Sequence, residues 1–175
     1  MIEFMVIGLP RSGTTWASAL FTTDTTLCVN DPLYTTHYLD WDTVFSKRYK
    51  TVGVSCTGIW RWPDWVNSHP AKKILLHRDL HEIESSMRSI GLPAQDLEQG
   101  ERLLDSIDGL HVEFTDLFDA VKCSRIWDHV LSKPFDTDRH KLLVDIEMQP
   151  KFSGLTIGAD VTKRLVDELT RAMYE

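Results

Sequence analysis

Residues 4–21 read FMVIGLPRSGTTWASALF, and this stretch decides the fold of the chain. Its first four residues are apolar and indicate a buried strand, which Gly8 and Pro10 then interrupt. Residues 14–21 have the pattern of a helix, so the segment predicts a strand, a tight loop and a helix. An opening of this kind is typical of an α/β protein built around a parallel sheet.

Further apolar runs have the length of buried parallel strands. They lie at residues 26–29, 51–55, 74–77 and 110–114. Strands that alternate with helices predict a mainly parallel central sheet covered by helices on both faces. No repeat, linker or low-complexity stretch divides the chain, so we expect a single domain over residues 1–175.

Helical periodicity is clearest after the predicted strand at residues 74–77. Apolar residues recur there in steps of three and four, at Leu80, Ile83, Met87 and Ile90. Asp79 and Glu82 have the spacing of a capping box at the start of this helix. A similar stripe predicts a terminal helix over residues 160–174.

Composition limits the classes of partner and the compartment. The 26 acidic and 19 basic residues give a net charge of −7, which argues against a broad surface for nucleic acid or an anionic membrane. The three cysteines include no CxxC pair, which argues against a disulfide framework or structural zinc. The N-terminus has no basic stretch, and its apolar run is too short to cross a bilayer. We therefore expect a cytoplasmic protein that binds neither nucleic acid nor membrane.

The loop between the first strand and helix has the character of a phosphate site. Gly8 and Gly13 allow a close approach, and the following helix start directs backbone N–H groups and a positive dipole end at one place. The spacing of these glycines matches a Walker A loop, but Thr14 occupies the position of its lysine. An ordinary ATPase or GTPase is therefore disfavoured. A Gly-Pro turn capped by Ser12, with Trp16 in the core, is the structural alternative.

A second anion site is indicated by residues 74–89, ILLHRDLHEIESSMRS. Arg78 ends a strand and offers a charged fork, and Ser86 follows eight positions later in the helix with a hydroxyl donor. Ser85 is the neighbouring alternative. A surface ion pair and a solvated hydroxyl are the structural reading of the same residues.

Together these motifs resemble those of the sulfotransferases that use 3′-phosphoadenosine 5′-phosphosulfate (PAPS). VIGLPRSGTTW resembles their 5′-phosphosulfate loop, and the Arg78 and Ser86 pair resembles their 3′-phosphate motif. The resemblance implies a three-layer P-loop-type fold, PAPS as the cofactor and adenosine 3′,5′-bisphosphate (PAP) as its product. It also implies the roles of the loop residues: Arg11 neutralises the leaving phosphate, Ser12, Gly13, Thr14 and Thr15 donate hydrogen bonds to the 5′-phosphate, and Trp16 lies near the adenine.

Other parts of the chain resemble this family less closely. Residues 111–136, HVEFTDLFDAVKCSRIWDHVLSKPFD, resemble its strand, turn and helix before a Pro-Phe-Asp sequence. The Lys-x-His segment that presents a catalytic histidine in many members is replaced by VGVSCTGIW at residues 52–60. The Gly-rich basic loop of the family is at best vestigial in residues 150–160.

Without that histidine, another residue must act as the catalytic base. In members without the histidine, a carboxylate after the second strand acts as base, and Asp31 stands there; an ordinary Asn-Asp-Pro turn is the alternative. His37 and His77 are the other possibilities. We expect transfer without a metal ion, because Arg11 and the helix start supply positive charge and no carboxylate at a second strand end suits magnesium.

The acceptor and the activity itself are left open by the sequence. Trp60, Trp62 and Trp65 either wall an acceptor pocket or pack between sheet and helix. The leading interpretation is sulfuryl transfer from PAPS to a hydroxyl or amine of a small-molecule or glycan acceptor. A small nucleotide or metabolite kinase and a non-catalytic nucleotide-binding module are the alternatives, and the oligomeric state is undetermined.

Overall fold

A five-stranded parallel sheet forms the centre of the computed structural model, which describes residues 1–45 and 51–146. The strands are β1 Phe4–Gly8, β2 Thr26–Asn30, β3 Thr51–Cys56, β4 Lys72–His77 and β5 Leu110–Glu113. Their order across the sheet is β2-β3-β1-β4-β5, and every neighbouring pair is parallel. The predicted α/β class and the five predicted strands are confirmed, with small differences at the strand ends.

Seven α-helices connect or follow these strands in the described residues. They are α1 Thr14–Phe21, α2 Trp41–Phe45, α3 Pro63–Ser68, α4 Leu80–Ser89, α5 Leu97–Asp105, α6 Ala120–Val130 and α7 Thr137–Asp145. Short 3-10 helices lie at Pro32–Tyr34, Tyr38–Asp40, Ile59–Arg61 and Phe114–Leu117. The bounds of α1 agree with the prediction. The predicted helix at 160–174 and the segment 150–160 lie outside the described residues.

Only one of the two interactions of the predicted capping box is present at the start of α4. The Asp79 side chain accepts hydrogen bonds of 3.0 Å from the backbone N–H groups of His81 and Glu82, as a helix cap should. Glu82 pairs instead with Arg78 at 3.0 Å. The acidic side chain of the predicted box therefore holds the arginine at the end of β4.

Two apolar cores lie on opposite faces of the sheet. Alternate residues of β1 point to each, so that Phe4 and Val6 join one core while Met5 and Ile7 join the other. The first core is completed by α1, α6 and α7, and the second by residues of α2 to α5. The result is the expected three-layer arrangement, consistent with a P-loop-like fold.

The order of the strands sets where a ligand can bind. β1 leads through α1 to β2 on one side of the sheet, whereas β4 leads to β5 on the other. The loops after the adjacent strands β1 and β4 therefore diverge and leave a crevice at the carboxyl edge. Arg11 follows β1 and Arg78 follows β4, so both lie at this crevice. No helix in residues 1–45 or 51–146 combines the length and the apolar character that a membrane crossing requires.

Candidate functional site

The loop after β1 holds two residues with positive φ angles just before the start of α1. Arg11 and Gly13 have φ angles of 69° and 97°, and Ser12 between them does not have a positive φ. The first N–H groups of the helix that follows, α1, have no acceptor within the helix and can bind an anion. A Cβ atom on Gly13 would lie 2.9 Å from Cδ2 of Phe114, so glycine is required there for space as well as for conformation.

Ser12 is placed differently from its predicted role. It is fully buried, and both its N–H and its hydroxyl donate to the carbonyl of Leu9, at 3.1 and 2.7 Å. A Cβ on Gly8 would overlap this hydroxyl. The Ser12 side chain therefore holds the loop closed and does not line the neighbouring cavity.

A cavity of about 490 Å³ opens beside this loop. It is lined by Pro10, Arg11, Gly13, Thr14, Thr15, Trp16, Asp31, Tyr34, Thr57, Arg78, Ile90, Leu92, Phe114, Phe118 and Ile146. The structure brings every position predicted for the site to this wall except Ser12 and Ser86. A volume of this size suits a nucleotide-sized ligand.

Two arginines meet at one side of the cavity. Arg78 Nη1 donates a hydrogen bond of 2.8 Å to the carbonyl oxygen of Arg11, and its guanidinium lies over the ring of Phe114 at 4.3 Å. Burial lowers the pKa of Arg11, and the positive charge of Arg78 lowers it further. Burial is the larger of the two causes, and Arg78, which also pairs with Glu82 at 3.0 Å, adds the smaller one.

Ser86 lies in a hollow that adjoins the cavity. Arg11 Nε donates to Ser86 Oγ at 2.9 Å, a contact that joins the two predicted anion motifs and that spacing alone could not show. The hollow, of about 440 Å³, is lined by Arg78, His81, Glu82, Ser85, Ser86 and Ser89. Arg78 borders both spaces, so the two sites share one guanidinium.

Trp16 is a core residue with one edge on the cavity. It is 6% exposed, its Nε1 donates to the carbonyl of Leu143 at 3.1 Å, and its ring lies 5.4 Å from that of Phe118. Leu92 and Ile90 line the same space. These side chains form an apolar wall, and the aromatic members other than Trp16 were not identified from the sequence. Phe114 directly follows β5, so a search for residues after each strand would have found it.

Asp31 lines the cavity from the ends of two neighbouring strands. It follows β2 with a φ of 43°, and its Oδ1 accepts hydrogen bonds from the N–H and the hydroxyl of Thr57, at 2.8 and 2.9 Å. Thr57 follows β3. The carboxylate is therefore oriented by two donors and shares the cavity with Arg11.

The two alternative bases lie elsewhere in the described structure. His37 is exposed, and its Nδ1 accepts from the Leu39 N–H at 3.4 Å. His77 bonds to Glu101 and His111 on the sheet face that carries α5. Neither histidine lines the cavity, which leaves Asp31 as the predicted base that does.

The tryptophans after β3 do not form an acceptor pocket at this cavity. Trp60 is 4% exposed and donates to the Thr57 carbonyl at 2.8 Å, and Trp65 packs against the same core. Trp62 is 39% exposed and contacts Tyr38. The interpretation as packing residues is confirmed for Trp60 and Trp65, and none of the three lines the cavity beside Arg11, so a role in an acceptor pocket stays a prediction.

Comparisons with known proteins leave the family open. A scan against protein-family models gave no match, and searches of curated proteins and of solved structures gave none either. The site must therefore be interpreted from its own residues.

Proposed function

We propose that this chain binds PAPS and transfers its sulfuryl group to a hydroxyl or amine of a small-molecule or glycan acceptor. The observation that carries the proposal is the convergence of Arg11 and Arg78, from the ends of β1 and β4, beside the start of α1. The sequence resemblance to PAPS-dependent sulfotransferases supports the choice of ligand.

The charge at the site favours a ligand with more than one anionic group. The positive charge of Arg78 contributes to the lowered pKa of Arg11, and a bound anion would offset this repulsion while using the donor forks of both side chains. The N–H groups at the start of α1 suit the 5′-phosphosulfate end. The hollow between Arg78 and Ser86 suits a further phosphate on the ribose 3′ position, which ATP does not have.

The remaining wall suits the base of a nucleotide. Trp16, Phe114 and Phe118 present ring edges or faces to the cavity, and Ile90 and Leu92 add aliphatic surface. Aromatic and aliphatic walls with a few polar groups are typical of nucleotide-sized sites. The adenine would lie against this wall, with its phosphates at the arginines.

The proposed transfer is an in-line displacement at sulfur. A bond forms from the acceptor oxygen or nitrogen to sulfur, the bond from sulfur to the 5′-phosphate oxygen breaks, and PAP leaves with that electron pair. Asp31 takes the acceptor's proton, and Arg11 with the α1 N–H groups stabilises the charge on the leaving phosphate. These groups supply the positive field, so the step is proposed to need no divalent metal.

Cysteine usage supports a reducing compartment for this activity, and we place it in the cytoplasm. Cys28, Cys56 and Cys123 are buried free thiols. Paired cysteines would be expected in a small protein of an oxidising compartment.

Calorimetry with PAP, PAPS, AMP and ATP, each with and without magnesium, tests the proposal. We expect PAP and PAPS to bind more tightly than AMP and ATP, without dependence on magnesium. Tighter binding of ATP in the presence of magnesium would instead support a phosphotransferase. PAP binding without turnover on a panel of hydroxyl and amine acceptors would support a nucleotide-binding module. A crystal structure with PAP would then show both anion positions and the acceptor space.

A further inference from the structure

A chain of polar side chains joins β4, β5 and α5 on the sheet face away from α1. His77 Nδ1 lies 2.9 Å from Glu101 Oε1, and His77 Nε2 lies 2.8 Å from His111 Nδ1. Asp105 Oδ1 is 3.9 Å from His77 Nδ1. One ligand atom from each of His77, Asp105 and His111 fits within 4.8 Å of the others. None of these four residues lines the cavity beside Arg11, so a role for them is independent of the proposed function.

Glu101 fixes the orientation of the central imidazole. An ionised carboxylate only accepts hydrogen bonds, so His77 Nδ1 is the donor to Glu101 and the Nε2 lone pair of neutral His77 points at His111. A histidine that binds a metal through one ring nitrogen almost always donates from the other to a carboxylate or carbonyl. His77 therefore has the orientation of a metal ligand with its supporting carboxylate.

The two imidazoles are nearly parallel, and one nitrogen of each faces the other ring. Their ring centroids are 5.0 Å apart and their planes differ by 17°, so the facing nitrogens share a single proton in the absence of a cation. A tetrahedral zinc ion with Zn–N bonds of about 2.0–2.1 Å separates two nitrogen ligands by roughly 3.3 Å. Exchanging that proton for the ion requires the nitrogens to move apart by about half an ångström and the rings to turn, because a head-on contact becomes a bent N–Zn–N angle, and the exposed His111 can make this change.

The charges around the cluster favour a cation. Within residues 1–45 and 51–146, the ion pairs of Glu101 and Asp105 are with His77 alone. Glu101 Oε2 is buried and has no hydrogen-bond partner there. A buried carboxylate oxygen without a partner is costly, and a nearby divalent ion would offset its charge.

From these contacts we infer that His77, His111 and Asp105 form a binding site for a divalent transition metal ion, with Glu101 as the carboxylate that orients His77. Two imidazoles and one carboxylate are ligands that suit Zn²⁺, and they leave a coordination position for water. The ion would tie α5 to the β5 edge of the sheet.

Zinc titration of the untagged, chelator-treated protein tests this inference. We expect one Zn²⁺ per chain by calorimetry, a rise of the melting temperature with Zn²⁺, and a Co²⁺ absorption spectrum of a nitrogen and oxygen site. His111→Gln should weaken Zn²⁺ binding by about tenfold or more and reduce the thermal shift accordingly. Glu101→Gln should weaken it by about 10–100-fold, the usual effect of losing an orienting partner. His37→Gln, at an exposed histidine outside the cluster, is the matched control and should bind Zn²⁺ like the unchanged protein.

Two results would overturn the inference. The first is an unchanged protein that takes up no stoichiometric Zn²⁺, and the second is a His111→Gln variant that binds Zn²⁺ as tightly as the unchanged protein. The melting temperature of each metal-free variant shows whether it folds. Asp105→Asn, at a side chain that is 60% exposed, provides the same test if His111→Gln does not fold.

Discussion

Arg11 Nε donates a hydrogen bond of 2.9 Å to Ser86 Oγ and so joins the loop after β1 to α4 across 75 positions of sequence. Arg78 reinforces this link, because it donates to the Arg11 carbonyl from the loop between β4 and α4. The two anion motifs are therefore one connected unit. A ligand with phosphates at both places would exchange the Arg11 and Ser86 contact for its own hydrogen bonds.

Ser86→Ala removes the hydroxyl proposed for the 3′-phosphate and should lower PAP affinity by about 1.5–3 kcal/mol, the value of a hydrogen bond to a charged group. AMP affinity should change less, since AMP has no 3′-phosphate. Calorimetry with both ligands measures the difference. Ser85→Ala is the matched control one position away on α4. A loss of PAP affinity in Ser85→Ala but not in Ser86→Ala would assign the role to Ser85.

Arg78→Ala should remove most of the preference for PAP over AMP, at about 1.5–3 kcal/mol for a hydrogen bond to a charged group. Arg88→Ala serves as the control, because Arg88 is on α4, is largely exposed and pairs with Glu84. Competition binding against PAP measures both variants. Equal affinities of the unchanged protein for AMP and PAP would contradict the assigned 3′-phosphate site.

Gly13→Ala should destabilise the protein by roughly 1–3 kcal/mol, because a side chain is forced into a left-handed conformation. Its Cβ would also lie 2.9 Å from Phe114, so the loop must shift and PAP binding should weaken. Gly91→Ala separates the effect of the left-handed backbone from that of the steric clash. Gly91 has a φ of 73°, but a Cβ added there would meet no atom within 4 Å. Urea denaturation should show the larger loss for Gly13→Ala. Equal losses in the two variants would remove the steric part of the argument.

The strands and α1 could be predicted from the sequence because their burial is visible in the order of apolar residues along a short stretch of chain. All five residues of β1 are buried, and a strand covered on both faces appears as a continuous apolar run. The short helices α2 and α3 could not be predicted in the same way, since they are stabilised by packing against the second core and have too few turns for a clear period.

Contacts that depend on tertiary structure could not be predicted from the sequence. Spacing placed Arg78 and Ser86 in one motif but gave no sign that Arg11 reaches Ser86. The contact between His77 and His111 depends on the register that sets Leu75 opposite His111 in β4 and β5. Ser12 was given a ligand role because its identity fits the motif, whereas its burial against Leu9 is decided by the fold of the loop.

The cysteines should resist thiol reagents at about pH 8 in the folded protein, because the thiolate is the reactive form. Burial raises the pKa of Cys56 to about 11 and that of Cys123 to about 12, and it raises the pKa of Cys28 as well. A colorimetric thiol reagent should therefore label no cysteine until denaturant is added, and then all three. Rapid labelling of the native protein would contradict this prediction.

The raised pKa values of the buried thiols also predict how stability depends on pH. The free energy of unfolding should fall as the pH rises from about 9 through 11, because the thiols of the unfolded chain ionise at a lower pH than those of the folded protein.

Asp31→Asn should keep PAP affinity while lowering turnover by about 10²-fold or more, the usual contribution of a general base. The amide oxygen can still accept from the Thr57 N–H and hydroxyl, so the turn after β2 should keep its shape and the effect should lie in proton transfer. Asp40→Asn, at an exposed carboxylate in the 3-10 helix Tyr38–Asp40, controls for the loss of one charge and should leave turnover unchanged. Steady-state rates with saturating PAPS, together with PAP calorimetry, separate catalysis from binding. Near-normal turnover in Asp31→Asn would reject Asp31 as the base, and His37 would become the next residue to substitute, despite its exposed position outside the cavity.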